Sequence, residues 1–160
     1  MKIFIPGNVP SLKNSKVATS RGIFFSKTVR KYLQSLGVKN YSVRNRTVEN
    51  YKTRPNLFEE AVRPMRECLA NVKPPHLIGF YFVRKTRRKF DLMNAGHIIF
   101  DLLVAHKVLE DDSCDFLIPV PIQINGKWYT VDKEKPGTYL FILSEKNMQG
   151  LSIKNFSLEC

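Results

Sequence analysis

Acidic residues are concentrated in one segment of an otherwise basic chain. Between positions 91 and 115 there are six acids and a single base, Lys107. Asp91 follows a basic run with only Phe90 between them, and the consecutive residues Asp111 and Asp112 come after a long apolar stretch. Carboxylate oxygens are the ligands that Mg²⁺ prefers in proteins, and a bound Mg²⁺ can activate water and neutralise charge on a phosphodiester. The spacing is compatible with metal-assisted phosphodiester hydrolysis, provided that the chain folds back to bring these carboxylates together.

The same acids also admit a structural interpretation. Asp91 is a good N-cap for a helix that begins at Leu92, because its side chain can accept a hydrogen bond from a free backbone N–H group. The residues Glu110–Asp112 can form a solvent-exposed turn after that helix. Spacing alone does not decide between a metal site and these two structural roles.

Histidine and further polar residues share one side of the predicted helix. Positions 91, 94, 97 and 101 lie near one stripe, so Asn94, His97 and Asp101 are predicted to face the same way as Asp91 and to support the site. An imidazole beside carboxylates suits Mn²⁺ better than Mg²⁺ alone. The alternative is that His97 is a hydrogen-bonded structural residue and that Asp101 pairs with a basic side chain.

The basic residues favour a polyanionic partner. The formal net charge is +12, from 26 Lys and Arg against 14 Asp and Glu, and residues 1–55 contain twelve Lys or Arg but only one acid. The segment 84–89 adds five positive charges in six residues. We expect a phosphate-binding surface beside the acids, although a solvated basic surface is the plainer alternative. The predicted phosphate contacts are Lys13, Lys16, Arg30, Lys31, Arg84, Lys85, Arg87, Arg88 and Lys89.

The elements that must position these residues fit one domain. A chain of 160 residues with 43% hydrophobic content is long enough for one core and too short for two full domains. We predict a single compact α/β (α+β-like) domain over residues 1–160, with a mixed β-sheet packed against helices. Pro64 predicts a kink or early end in the second helix. The predicted strands are 2–6, 23–25, 77–83 and 139–143, with a hairpin of 118–124 and 127–131 around Asn125–Gly126; the predicted helices start after Ser26, Asn56 and Asp91; and 38–55 is predicted to be a basic loop or insertion.

Two broad classes of protein are disfavoured by the sequence. No apolar run approaches the length that spans a bilayer, and no leader precedes the first strand, so we expect no membrane partner and a cytoplasmic location. Cys68, Cys114 and Cys160 are odd in number, far apart and lack a CxxC pair. Neither a disulfide framework nor a zinc ribbon is indicated.

The order of the motifs resembles the RusA-type Holliday junction resolvases, a family of crossover junction endodeoxyribonucleases. Asp91–Asn94, then Phe100–Leu102, then Glu110–Asp112 is similar to the family's Asp-x-Asp-Asn, its helix with Phe-Asp and a following Leu, and its Asp-Asp pair. Pro10–Lys16 resembles the family's Pro-x-Ser-x-Asn loop, which adds Asn14 to the DNA-binding set. The segment 139–144 is similar to the closing strand, so the resemblance covers most of the chain.

The resemblance implies a site residue by residue. The catalytic, metal-binding carboxylates fall on Asp91 and Asp112, with Asp111 as a further metal ligand and Asn94 beside them. The second Asp of the family motif falls on Met93, whose thioether is a poor ligand for a hard cation. The family usually has a Lys near the position of His97, which is a second departure.

The resemblance implies a function and an assembly. It implies a metal-dependent, structure-selective endonuclease that resolves Holliday junctions and other branched DNA by paired nicking, with Mg²⁺ or Mn²⁺ as its metal. It also implies a homodimer, because two-fold symmetry supplies two sites for opposed strands. Met93 favours an alternative, a catalytically impaired homologue that binds branched DNA without cutting it. A further alternative is a basic, non-catalytic domain that binds RNA or DNA.

Overall fold

One long apolar strand organises the sheet, and three helices cover one of its faces. The computed structural model describes residues 1–10, 16–19 and 22–143, with the backbone alone for 16–19 and 22–24. Its strands are β1 (Lys2–Pro6), β2 (Lys16–Thr19), β3 (Gly22–Phe25), β4 (Val38–Ser42), β5 (Thr47–Asn50), β6 (His76–Arg84), β7 (Leu117–Pro121), β8 (Tyr129–Val131) and β9 (Gly137–Ile142), and its helices are α1 (Lys27–Ser35), α2 (Leu57–Leu69) and α3 (Leu92–Ala105).

The strand β6 lies inside a five-stranded mixed sheet. One edge of β6 pairs antiparallel with β9, and β9 pairs antiparallel with β1. The other edge of β6 pairs parallel, first with β7 and then with β8. Because parallel neighbours need a long crossover connection, α3 lies between β6 and β7 in the chain. The predicted fold class is therefore confirmed as one small mixed α/β domain.

Alternate side chains of β6 serve two different apolar clusters. Ile78, Phe80 and Phe82 are buried in the main core, which they share with the three helices. Tyr81 points the other way and packs with Ile122 in a second, smaller cluster, as the two-residue period of a strand requires. The helix α3 is buried along most of its surface and exposes only Met93 and His97 among its own residues.

The first two helices begin at the predicted capping residues. Ser26 Oγ accepts a hydrogen bond from Val29 N at 3.4 Å, and Asn56 Oδ1 accepts one from Glu59 N at 3.0 Å. Each bond satisfies one of the backbone donors that the first turn of a helix leaves unpaired. The predicted starts of α1 and α2 are therefore confirmed.

Pro64 lies inside α2 without ending it. Of the predicted kink or early end, the early end is wrong, because α2 runs from Leu57 to Leu69, and the kink stays a prediction. Phe58 and Val62 are buried before Pro64, and Met65 is buried directly after it. Packing of this apolar stripe against the core outweighs the loss of one backbone hydrogen bond at the proline.

Residues 38–55 contain an ordered hairpin where the sequence predicts a loop. The strands β4 and β5 pair antiparallel, and Tyr41, Val43 and Val48 pack against the main core. A two-stranded hairpin gains its stability from such packing rather than from its own strand pairing. The prediction of a loop is wrong at 38–42 and 47–50, because a few apolar side chains anchor a segment whose composition is mainly polar and basic. The alternative of an insertion stays a prediction.

The predicted hairpin around Asn125–Gly126 is only partly correct. Its tight turn is confirmed, since Asn125 has φ +51° and Gly126 φ +71°, and Ile124 and Lys127 exchange backbone hydrogen bonds of 2.9 and 3.0 Å. Positive φ at both central residues is what a type I′ turn requires. The flanking strands do not pair with each other, however, because β7 and β8 each pair with β6.

Two further features concern the membrane and the cysteines. Of the helices in the described residues, none is long and apolar enough to cross a bilayer. Cys68 and Cys114 are free thiols at the surface, whereas Cys160 lies outside the described residues.

Candidate functional site

The loop between β6 and α3 presents a group of exposed cations, which we call the basic loop (residues 85–89). The backbone N of Lys85 donates a hydrogen bond to Asn8 Oδ1 at 2.9 Å, which ties this loop to the one that follows β1. Four side chains of the basic loop are exposed and form no ion pair with a described residue. They are Lys85, Arg87, Arg88 and Lys89.

Arg84 differs from the other predicted phosphate contacts because it is buried. Its exposed fraction is 8%, its Nη1 donates a hydrogen bond to Val9 O, and its guanidinium lies 4.3 Å from the centre of the Phe90 ring. Burial lowers the pKa of this guanidinium. The prediction is corrected at this position: Arg84 holds the loop after β1 against Phe90 and does not face the solvent.

The remaining predicted phosphate contacts belong to the N-terminal part of the chain. Arg30 and Lys31 are exposed on α1. Lys16 belongs to β2, but its side chain is outside the described part of the structure. Lys13 and Asn14 also lie outside the described residues.

Asp91 combines the position of a helix cap with exposure to solvent. Its Oδ1 accepts a hydrogen bond from Asn94 N at 3.0 Å, so the predicted capping role is confirmed at the start of α3. The carboxylate is exposed, and Phe90 alone separates Asp91 from the basic loop. One negative charge therefore lies beside four exposed positive charges, at the end of the sheet where β6 stops.

Asp111 and Asp112 form a tight turn after α3. Asp111 Oδ1 accepts a hydrogen bond from Asp112 N at 2.9 Å, and Asp111 Oδ2 accepts one from Ser113 Oγ at 2.8 Å. The Ser113 hydroxyl and then the backbone N–H of Asp112 lower the pKa of the Asp111 carboxyl. The Asp112 side chain is exposed. A surface turn, one of the two structural roles considered for these acids, is therefore present.

The two acidic groups lie at opposite ends of α3. This helix has 14 residues, which at about 1.5 Å per residue separates its ends by about 20 Å. Phe90, beside Asp91, packs edge-on against Phe82 near the end of β6. At the other end, Phe116 O accepts a hydrogen bond from His76 N at 2.8 Å, at the start of β6. The chain does not fold back to bring Asp91 and Asp112 together within one subunit.

The stripe of polar residues predicted along α3 faces away from the core. His97 is exposed, and Asn94 and Asp101 are half-buried. Tyr41 Oη, from the β4–β5 hairpin, donates a hydrogen bond to Asp101 Oδ2 at 3.1 Å. Met93, at the place of the family's second Asp, lies on the same exposed side with 41% of its surface accessible. The stripe is therefore open at its Asp91 end and covered by the hairpin at Asp101.

Within the described residues, no three His, Cys, Asp or Glu side chains form a group that could hold a metal ion. The predicted carboxylates therefore do not make a three-ligand site within the described part of one subunit.

Comparison with known proteins found no family model that matches the chain and no match among curated proteins.

An open cavity lies beside the polar stripe, and the sequence analysis did not identify it. Its volume is about 740 Å³, and it is formed between α1, the β4–β5 hairpin and Asp101 of α3. Phe25 and Tyr41 line it with stacked aromatic rings. The signal in the sequence that could have indicated this cavity is the group of aromatic and basic residues in 38–55. The prediction of a loop gave these residues no defined place in the fold.

Proposed function

We propose that the protein is a structure-selective DNA endonuclease of the RusA type, which acts as a homodimer on Holliday junctions and other branched DNA. The observation that carries the proposal is the exposed basic loop, which Phe90 alone separates from the exposed Asp91 carboxylate at the start of α3. Cations of this kind neutralise phosphates and position a nucleic acid. The order of motifs that resembles the RusA family supports the choice of branched DNA, and it implies a cytoplasmic location.

The separation of Asp91 from Asp112 favours two subunits over one. A two-fold interface uses the same surface of both subunits, so each contact between two residues across it occurs twice. If the exposed Asp91 end of α3 in one subunit packs against the Asp111–Asp112 turn of the other, Asp91 of one subunit meets Asp112 of the partner subunit. The same symmetry places the second Asp91 beside the second Asp112. Two equivalent composite sites would then serve the paired nicks that junction resolution requires.

The composite site has the donors that a hard divalent cation prefers. Asp91 would come from one subunit, and Asp111 and Asp112 would come from the other. All three supply carboxylate oxygens as ligands. Asn94 and His97 border the Asp91 end of the stripe, and an imidazole there would favour Mn²⁺ as an alternative to Mg²⁺. When bound, such a cation activates water and neutralises charge on the phosphodiester. The cations of the basic loop would hold the DNA backbone beside it.

Trans-complementation tests both the activity and the shared site. The substrate is an end-labelled four-way DNA junction at low salt, with Mg²⁺ and then Mn²⁺. We expect symmetric nicks from the unaltered protein, and a loss of cleavage of at least about a hundredfold in Asp91→Asn and in Asp112→Asn, because each removes a charged ligand. Mixing the two inactive variants and allowing subunit exchange should restore nicking, because one of the two sites in each heterodimer is intact.

The complementation experiment has outcomes that contradict the proposal. No restored nicking in heterodimers verified by differently tagged subunits would rule out a site shared between subunits. Cleavage that persists in both single variants would show that these carboxylates are not catalytic. Thermal unfolding of each variant checks that the fold is intact, and Asp115→Asn, a nearby exposed acid outside the proposed site, is the matched control that should leave cleavage unchanged.

A second candidate function is the binding of branched DNA without cleavage. The observation that favours it is the exposed thioether of Met93 at the place where the family has a carboxylate. In this case Met93→Asp would gain cleavage that the unaltered protein lacks, whereas both proteins would bind a four-way junction more tightly than linear duplex or RNA of equal length. Equal affinity for the three nucleic acids would contradict both candidate functions.

A further inference from the structure

The cavity beside the β4–β5 hairpin has a size and position suited to a small ligand. Its volume of about 740 Å³ lies within the range of roughly 300 to 1,000 Å³ that ligand sites occupy. It is lined by residues of α1 and of the β4–β5 hairpin, by Phe25 and by Asp101 of α3. The cavity is separate from the basic loop, which does not contribute to its lining.

One wall of the cavity is aromatic. The rings of Phe25 and Tyr41 stack with their centres 5.1 Å apart and an interplanar angle of 22°. Tyr41 is fixed in this position because its hydroxyl donates a hydrogen bond to Asp101 Oδ2 at 3.1 Å. Burial, and then the Asp101 carboxylate, raise the pKa of the Tyr41 phenol, so that it remains a donor. Stacked, half-buried rings of this kind are platforms on which nucleobases stack.

Several cationic side chains line the cavity, and only some of them form an ion pair within the described residues. Lys39 forms an ion pair with Glu49. Arg30 and Arg44 are exposed and form no ion pair with any described residue. A guanidinium binds phosphate through two parallel hydrogen bonds. Arg30 and Arg44 line the same cavity as the Phe25 and Tyr41 rings and are unpaired within the described residues, so their guanidinium groups are available to a phosphate.

We propose that this cavity binds a 5′-phosphorylated deoxynucleotide, with its base stacked on the Phe25 and Tyr41 rings and its phosphate held by Arg30 and Arg44. The nucleotide is supplied by an unpaired position at a DNA branch or by a free deoxynucleoside monophosphate, which share this chemistry. The DNA source rests on the proposed function, because it requires the protein to bind branched DNA. The free nucleotide does not.

The test uses the full chain and the fluorescent base 2-aminopurine, whose emission is quenched by stacking. The probes are free 2-aminopurine deoxynucleoside 5′-monophosphate, a four-way junction with one unpaired 2-aminopurine at the branch, and the same junction with that base paired inside an arm. We expect quenching with the unpaired base and not with the paired one. Quenching by the free monophosphate as well identifies the nucleotide itself as a sufficient ligand.

Matched variants separate the cavity from general charge effects. Arg44→Gln should weaken the affinity measured by quenching about tenfold, because it removes a charged hydrogen-bond donor. Arg63→Gln removes the same charge from an exposed position on α2, away from the cavity lining, and should leave the affinity unchanged. Tyr41→Phe keeps the ring and should preserve quenching, whereas Tyr41→Leu should abolish it.

The outcomes distinguish this inference from the proposed function. Junction binding in a gel-shift assay without quenching of the unpaired base or of the free nucleotide overturns the inference and leaves the proposed function standing. Equal affinities for Arg44→Gln and Arg63→Gln also overturn it. Arg44-dependent quenching of the free monophosphate by a protein that does not bind junctions supports the nucleotide site and contradicts the proposed function.

Discussion

The two ends of α3 use charged residues in opposite ways. At the C-terminal end, Arg66 donates hydrogen bonds of 2.6 and 2.7 Å to the two carboxylate oxygens of Glu59. His106 Nδ1 lies 3.0 Å from Glu59 Oε2, and Arg66 Nη2 also donates to His106 O at 2.7 Å. The side chain of His106 is only 3% exposed. These charges join α2 to the end of α3, and we call the three residues the α2–α3 network.

At the N-terminal end of α3, the charges are exposed and are not paired with one another. Asp91 caps the helix, and the cations of the basic loop form no ion pair with a described residue. Paired, partly buried charges are required by the fold, since removal of one partner leaves the others unsatisfied. Exposed, unpaired charges contribute little to stability and remain available to a ligand. The paired charges at the C-terminal end of α3 therefore stabilise the fold, whereas those at its N-terminal end contribute little to stability.

The largest expected effect comes from breaking the α2–α3 network. Glu59→Gln leaves the Arg66 guanidinium without its carboxylate and His106 without its charged partner. We expect the free energy of unfolding to fall by about 2–3 kcal/mol, measured by urea denaturation. Glu60→Gln is the matched control, because the adjacent Glu60 is exposed and has no ion pair in the described residues. A similar loss in both variants would contradict the structural role of the network.

The pH dependence of the free energy of unfolding should reflect the titration of the same α2–α3 network. The Arg66 hydrogen bonds lower the pKa of Glu59 to about 2 from its ordinary value of 4.5. A lowered carboxyl pKa stabilises the folded state above 4.5, and this contribution is lost as the pH falls toward 2. Burial lowers the pKa of His106 below its ordinary 6.5. Because the unfolded state then takes up the proton more readily, stability should also decline as the pH falls below 6.5.

The measurement is the urea midpoint at pH values from above 6.5 to below 4.5, for the unaltered protein and for Glu59→Gln. The variant should lose less stability than the unaltered protein as the pH falls below 4.5, because the Glu59 carboxyl no longer titrates. Parallel curves for the two proteins would mean that Glu59 does not contribute to acid unfolding.

Local features of the fold were predictable from the sequence, and the pairing of strands was not. The caps at Ser26, Asn56 and Asp91 were correct because a capping bond joins residues only three positions apart. The turn at Asn125–Gly126 was also correct, since it depends on the φ preferences of two residues. Its flanking strands were misassigned because their partner is β6, which is about 40 residues away in sequence.

The sequence indicated the types of residue in the candidate site but not the distances between them. The sequence identified Asp91, Asp111 and Asp112 as an unusual acidic group, but their positions relative to one another depend on the length and direction of α3. It also placed Arg84 with the exposed cations, because a run of basic residues does not reveal which one is the last residue of a buried strand. Burial of Arg84 follows from the contact with Val9, 75 residues earlier in the chain.

The smallest expected effect sharpens the comparison at the N-terminal end of α3. Arg88→Gln should leave the free energy of unfolding within about 0.5 kcal/mol of the unaltered value, since Arg88 is exposed and unpaired in the described residues. If Arg88 contacts a phosphate, the log–log dependence of DNA affinity on salt should become shallower by about one. Across a fourfold range of salt, this amounts to about a fourfold difference in affinity, measurable by fluorescence anisotropy with a labelled junction. Arg63→Gln should change neither quantity, and a salt slope for Arg88→Gln equal to that of Arg63→Gln would remove the basic loop from the DNA-binding surface.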